Sequence, residues 1–182
     1  IYTDDDAESP RDWDNLGTMV CWHRRYDLGD KHSHSDVDSF LGSLLPDGVA
    51  ERLEAQCERD QETAWKLNGG EFSNAESRRI NDEHRARLMT EAEKYAVILP
   101  LYLYDHSGIT MRTSPFSCPW DSGQVGYIYI TREKIRSEYS AKRISKKLLD
   151  RVRGYLVSEV TEYDKYLTGD VYGYTIEDSE GN

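Results

Sequence analysis

Between positions 105 and 123 the chain gathers Asp105, His106, Cys118, Trp120 and Asp121, with Pro115 and Pro119 among them. A cysteine folded back against a histidine can become a thiol nucleophile, with a carboxylate from Asp105 or Asp121 to orient the ring. No nucleophile signature surrounds Cys118, which runs directly into Pro119-Trp120. A packed, unreactive thiol is the commoner state of cysteine and is the plain alternative. Cys21 and His23 alternate along an apolar stretch and so share a face. With His106 or Cys118 they would offer zinc a mixed sulfur and nitrogen set, again against the simpler reading of a cysteine in a core.

A second cluster, His32-Ser33-His34-Ser35-Asp36, places two imidazoles and a carboxylate at alternate positions, donors that suit a compact zinc site. It resembles the front of the H-x-H-x-D-H motif of metallo-β-lactamase-like hydrolases. Val37 stands where that motif has its last histidine, and a polar loop with two exposed histidines explains the same residues. There is no Gly-rich phosphate loop, no H-E-x-x-H, no G-x-S-x-G and no paired C-x-x-C. The expectation is therefore no cofactor, no metal and no catalytic residue. Lys142, Arg143, Lys146 and Lys147, with Arg151 and Arg153 beyond them, could touch phosphates; a solvated helix face is the alternative.

The charge is uneven. Of a net −11, residues 1–15 supply −5, through Asp4, Asp5, Asp6, Glu8, Asp12 and Asp14 against Arg11. Residues 159–182 supply −6, through seven acids that include Glu177, Asp178 and Glu180 against Lys165. Residues 132–153 run the other way, with nine bases and three acids. Acidic ends can keep a protein soluble, or imitate nucleic acid on a basic protein surface. The chain has 13 tyrosines against 3 phenylalanines. Tyrosine has an apolar body and a wet tip, which suits interfaces, so Tyr172 and Tyr174 beside the acidic end join the candidate contact residues.

These groups need positioning. The 182 residues are expected to form one domain. Strands are expected near 17–23, 96–104, 125–130 and 171–176, from β-branched and aromatic runs. A further short strand is expected at Ile1-Tyr2, inside an acidic arm spanning 1–15. Helices are expected over 36–45 with Ser35 or Asp36 as cap, over 49–67, over 76–95 as a solvated polar helix, over 133–139 behind Thr131, and over 145–166. Residues 105–124 read as one long polar insert between two strands, and loops on rigid strands are where function tends to sit. The pattern predicts an α+β fold, a mixed or antiparallel sheet covered by helices. No run reaches the roughly 20 apolar residues of a membrane helix, and no stretch at the start reads as a signal peptide. Three widely spaced cysteines suit a reducing cytoplasm. The chain starts at Ile1, as a trimmed chain would.

Three stretches together resemble a family of small proteins carried by bacteriophages and conjugative elements of gut bacteria. They are Ser9-Pro10-Arg11-Asp12-Trp13-Asp14-Asn15-Leu16-Gly17 running on to Gly29-Asp30, Tyr104-Asp105-His106-Ser107-Gly108 running on to Trp120-Asp121-Ser122-Gly123, and Tyr166-Leu167-Thr168-Gly169-Asp170 running on to Tyr174. That family is identified as including a type II-A anti-CRISPR, an inhibitor of the RNA-guided DNA nuclease. The resemblance implies a non-enzymatic protein of the bacterial host's cytoplasm, partnered by that nuclease or its guide-RNA complex, and a longer chain beyond Asn182. It carries over no active-site residue. Such nucleases hold nucleic acid in positively charged channels and read their target-adjacent motif with arginines. Carboxylate clusters and tyrosines are a chemistry that could compete there. Two other readings stand beside it: a small metal- or thiol-dependent hydrolase of a mobile element, and a DNA-associated accessory protein using 132–153.

Overall fold

A computed structural model describes residues 1–4 and 6–176. Asp5, Glu177, Asp178 and Glu180 lie outside the described residues. The fold is α+β, with five helices, a four-stranded antiparallel sheet and a separate two-stranded ribbon among the described residues. The chain forms two compact units, one from Ile1–Lys31, Ile98–Ile130 and Arg143–Asn182, the other from His32–Val97 and Thr131–Lys142.

The strands of the large sheet are β2 (Thr18–Cys21), β3 (Ala96–Asp105), β4 (Ile109–Arg112) and β5 (Ser122–Thr131), in the order β2-β5-β3-β4. β2 pairs with β5 so that Val20 faces Tyr127 and Cys21 faces Gly126. A Cβ on Gly126 would overlap the Val20 carbonyl oxygen, so this close approach of two backbones requires glycine. β4 corrects the expectation of one long insert: it turns back on β3 with Leu103 opposite Met111. The turn between them, His106-Ser107-Gly108, closes with the His106 N–H donating to the Gly108 carbonyl at 3.0 Å, and Ser107 takes φ 53°.

On each edge strand of this sheet an aspartate takes up a backbone N–H. On β2 the Met19 N–H donates to Asp30 Oδ2 at 2.8 Å, and Asp30 N–H donates back to the Met19 carbonyl at 2.8 Å. On β4 the Met111 N–H and the Thr110 hydroxyl donate to Asp164 Oδ1 at 2.6 and 2.7 Å. An open edge would offer these N–H groups to another chain. Asp164 belongs to α5 (Lys146–Thr168), whose Ser145 cap accepts from Leu148 N–H. The stripe Val152, Leu156, Val160 and Tyr163 at three-to-four spacing is buried, as the sequence pattern requires. Each such side chain removed from water contributes about 1.5–3 kcal/mol.

The second unit holds α1 (Val37–Ser43), α2 (Val49–Leu67), α3 (Asn74–Ala92) and α4 (Arg132–Glu138). α3 lies mostly in water, as its dense charges predict, and buries one stripe, Ile80, His84, Leu88 and Ala92, at four-residue spacing. Those charges are partly spent across helices, with Arg85 paired to Asp38 of α1 at 2.8 Å and Arg87 to Asp60 of α2 at 2.6 Å. No helix among the described residues is long and apolar enough to cross a membrane.

The expected strand at 171–176 is only Tyr172–Gly173, β6, and it leaves the main sheet to pair with β1 (Tyr2–Thr3). Tyr2 stands opposite Gly173, where a side chain would collide with the Tyr2 ring. Asp4 N–H extends the pairing to the Val171 carbonyl at 2.9 Å.

Candidate functional site

The β1–β6 clasp brings together two stretches that the sequence places about 170 residues apart. Beside it lies a groove of about 510 Å³, lined in part by Pro10, Tyr166 and Val171. Its carboxylates come from both ends of the chain: Asp4 and Glu8 from the first, Glu162 and Asp170 from the second. Lys165 is the cation in the lining, and Glu162 holds it at 2.9 Å. The lining therefore carries four acids against one neutralised base. Asp170 hydrogen-bonds the Tyr172 phenol and keeps its pKa above the usual tyrosine value. Trp13 and Tyr172, 61% and 62% exposed, also line the groove, and Tyr2 and Tyr174 are exposed near it along the same clasp.

Asp6, Asp12 and Asp14 are exposed on the same arm, while Asp4 is partly covered. The acidic ends are not uniformly surface. Arg11, counted above as the arm's one base, has a side chain only 4% exposed. It donates to both oxygens of Asp30 at 2.9 and 2.7 Å, to Glu159 at 3.1 Å and to the Gly17 carbonyl at 2.8 Å. Glu159 in turn accepts the Leu16 and Gly17 N–H groups at 2.8 and 3.1 Å. Burial works against the Arg11 charge, but the two carboxylates outweigh it and hold its pKa above the ordinary value. One acid and one base of the apparent surface charge thus belong to the interior.

The loop of interest is ordered by its own contacts. Arg112 lies over the Phe116 ring at 3.8 Å and donates to the Ser114 and Pro115 carbonyls. Ser122 Oγ donates to the Cys118 carbonyl. The thiol of Cys118 donates to Asp121 Oδ2 at 3.6 Å, and His106 Nδ1 approaches the same oxygen at 3.5 Å. Among the described residues the Asp121 carboxylate is therefore the hydrogen-bond partner of the sulfur. Asp105 is taken up by Arg25 and by the Tyr26 hydroxyl at 3.3 Å. Trp120 stands 92% exposed at the rim of a second cleft of about 410 Å³, which His23, Arg24 and Arg25 close from the other side.

The metal candidates are not assembled. Asp36 is the N-cap of α1, accepting from Ser39 N–H at 2.8 Å, and that bond holds its pKa down. His32 and His34 stack on each other with ring centres 5.7 Å apart. Burial of the Cys21 sulfur pushes the thiol up to about 12. His23 Nδ1 is occupied by the Arg25 and Tyr26 N–H groups at 3.3 Å each. Among the described residues no group of three or more His, Cys, Asp or Glu could hold a metal ion. Lys142, Arg143, Lys146 and Lys147 are all exposed, and none makes an ion pair among the described residues.

Sequence reasoning passed over Trp13 and Glu8 as groove residues and Arg24 as part of a cleft. Only the pairing of the chain ends could have singled out the first two, and two-residue strands leave no periodic trace. Comparison of the chain with protein-family models, with curated proteins and with solved structures gives no match.

Proposed function

We propose that this protein works by binding rather than by catalysis, as an anti-defence inhibitor of the anti-CRISPR type acting in the cytoplasm of a bacterial host. Its partner is an RNA-guided DNA nuclease or that nuclease's guide-RNA complex. The observation that carries this reading is the groove at the β1–β6 clasp, where acids from both chain ends surround exposed Trp13 and Tyr172. A nuclease channel that holds nucleic acid is basic, and an acid-lined surface competes for it through the same field. Charge alone gives attraction without a firm hold. Exposed aromatics supply the anchor, since Trp and Tyr dominate interface energetics once buried. The resemblance of the Ser9–Asp30, Tyr104–Gly123 and Tyr166–Tyr174 stretches to the mobile-element family supports the choice of partner. The Cys118–Asp121–His106 geometry favours the hydrolase reading less, because thiol and imidazole both turn to the Asp121 carboxylate.

The test is target-DNA cleavage by a guide-loaded type II nuclease with and without the protein, with size-exclusion chromatography of the mixture. Inhibition with co-elution is expected, weakened by Trp13→Ala and Tyr172→Ala and unchanged by Cys118→Ala. Cleavage at the uninhibited rate with no complex would remove this nuclease as the partner. Loss of inhibition in folded Cys118→Ala would restore the enzyme reading.

A further inference from the structure

We propose that the cleft between the His23–Arg25 turn and the Trp120 loop binds a nucleotide unit, its base stacked on the Trp120 indole and its phosphate held by Arg24. The carboxylates around this cleft already have partners. Asp105 is engaged by Arg25 and Tyr26, and Asp121 Oδ2 by Cys118 and His106. His23 Nδ1 accepts two backbone N–H groups, which leaves Nε2 as that ring's remaining donor. Arg24 is exposed and has no ion pair or hydrogen bond among the described residues. What stays uncommitted is the Arg24 guanidinium, the His23 Nε2 donor and the Trp120 face.

Trp120 is 92% exposed although its loop is tied down by the Arg112–Phe116 stack and by the Ser122 bond to Cys118. An indole held in water on a fixed loop is ready to stack without first paying to order itself. Flat bases stack on such rings whatever their sequence, and an arginine beside the ring takes the phosphate. The volume of about 410 Å³ falls within the small-molecule range. The chain's net charge of −11 opposes a long polyanion, so the ligand is one nucleotide, either free or at the end of a single strand. This site is separate from the acidic groove and stands or falls independently of the inhibitory reading.

The test uses the full chain labelled with ¹⁵N, following the indole N–H signals of Trp13, Trp22, Trp65 and Trp120, the last assigned with Trp120→Phe. Titration with AMP should move the Trp120 signal saturably and leave the other three in place. Adenosine and inorganic phosphate should each bind roughly tenfold more weakly than AMP, and Arg24→Gln should weaken AMP by a similar factor. Comparing dTMP with a short oligothymidylate separates the sources: tighter oligonucleotide binding assigns a strand end, and equal binding assigns the free nucleotide. No movement of the Trp120 signal up to about 10 mM AMP would overturn the proposal. So would phosphate binding as well as AMP, or calorimetric AMP binding unchanged in folded Trp120→Ala.

Discussion

Arg11 and Glu159 lie 148 positions apart in the chain, and the guanidinium of one donates to the carboxylate of the other at 3.1 Å. Asp30 grips the opposite side of the same guanidinium, and Glu159 also collects the Leu16 and Gly17 N–H groups. The segment before β2, the turn after it and α5 therefore share one mostly buried cation.

Removing one partner from such a network is costly, because the others stay buried and unpaired. Glu159→Ala should lower stability by about 3–5 kcal/mol, read from urea unfolding at neutral pH. Arg11→Met should cost less than Arg11→Ala, because the aliphatic chain is kept. A loss under about 1 kcal/mol for Glu159→Ala would mean that water replaces the carboxylate at no great cost.

Stability should fall as pH rises above about 9. The Cys21 thiol, ordinarily near 9.0, is pushed up to about 12 by burial and then by the nearby Asp30 carboxylate. The folded-state value lies above the unfolded one, so its contribution is fully present below about 9 and is lost as pH climbs toward 12. One such group gives a slope of about 1.4 kcal/mol per pH unit within that window. Tyr163 and Tyr129, also raised first by burial, act in the same direction. Unfolding measured at pH 7 and pH 10 should show a smaller drop for Cys21→Ala than for the parent. Equal drops would place the pH dependence on the tyrosines and on Cys57, whose thiol is also raised by burial.

The helices and the two long strands were legible because each has a strong local period or a run of β-branched residues. The span 49–67 follows directly from pattern, and Asp36 is one of the two caps, with Ser35, that capping chemistry allows. β4 was not legible: Ile-Thr-Met-Arg is four residues between a glycine turn and Ser114-Pro115, and its pairing depends on β3 beside it. The clasp was half legible, as an alternating run at 171–176, but only its partner at Tyr2–Thr3 decides which two residues form a strand. Charge counting misled for a physical reason. A count cannot separate Asp12, which faces water, from Glu159, which faces Arg11.

Gly126→Ala should weaken the β2–β5 pairing. A methyl there collides with backbone, the Val20 carbonyl and the Cys21 Cα, rather than with a side chain that could rotate away. The strands must part or shift register, at a cost of about 1–3 kcal/mol. In a chain of this size that lowers Tm by roughly 2–10 °C. Gly154→Ala is the control: it lies exposed in α5 with open space at its Cβ position, and it should stabilise by about 1 kcal/mol. A thermal melt that treats both substitutions alike would contradict the strand register.

The acidic groove makes a separable prediction. Asp4→Lys with Glu8→Lys changes the lining by four charge units and touches no core residue, so Tm should move little. Nuclease inhibition should fall by tenfold or more, chiefly through a slower association rate, because surface charge acts mainly on encounter. Raising salt from about 0.1 to 0.5 M should weaken the parent in the same way and the double variant less. Trp13→Ala should show the opposite split, an almost unchanged association rate with faster dissociation, since a buried aromatic anchor sets residence time. If charge reversal leaves inhibition intact while Trp13→Ala removes it, the contact is apolar and the acids serve only to keep the surface soluble.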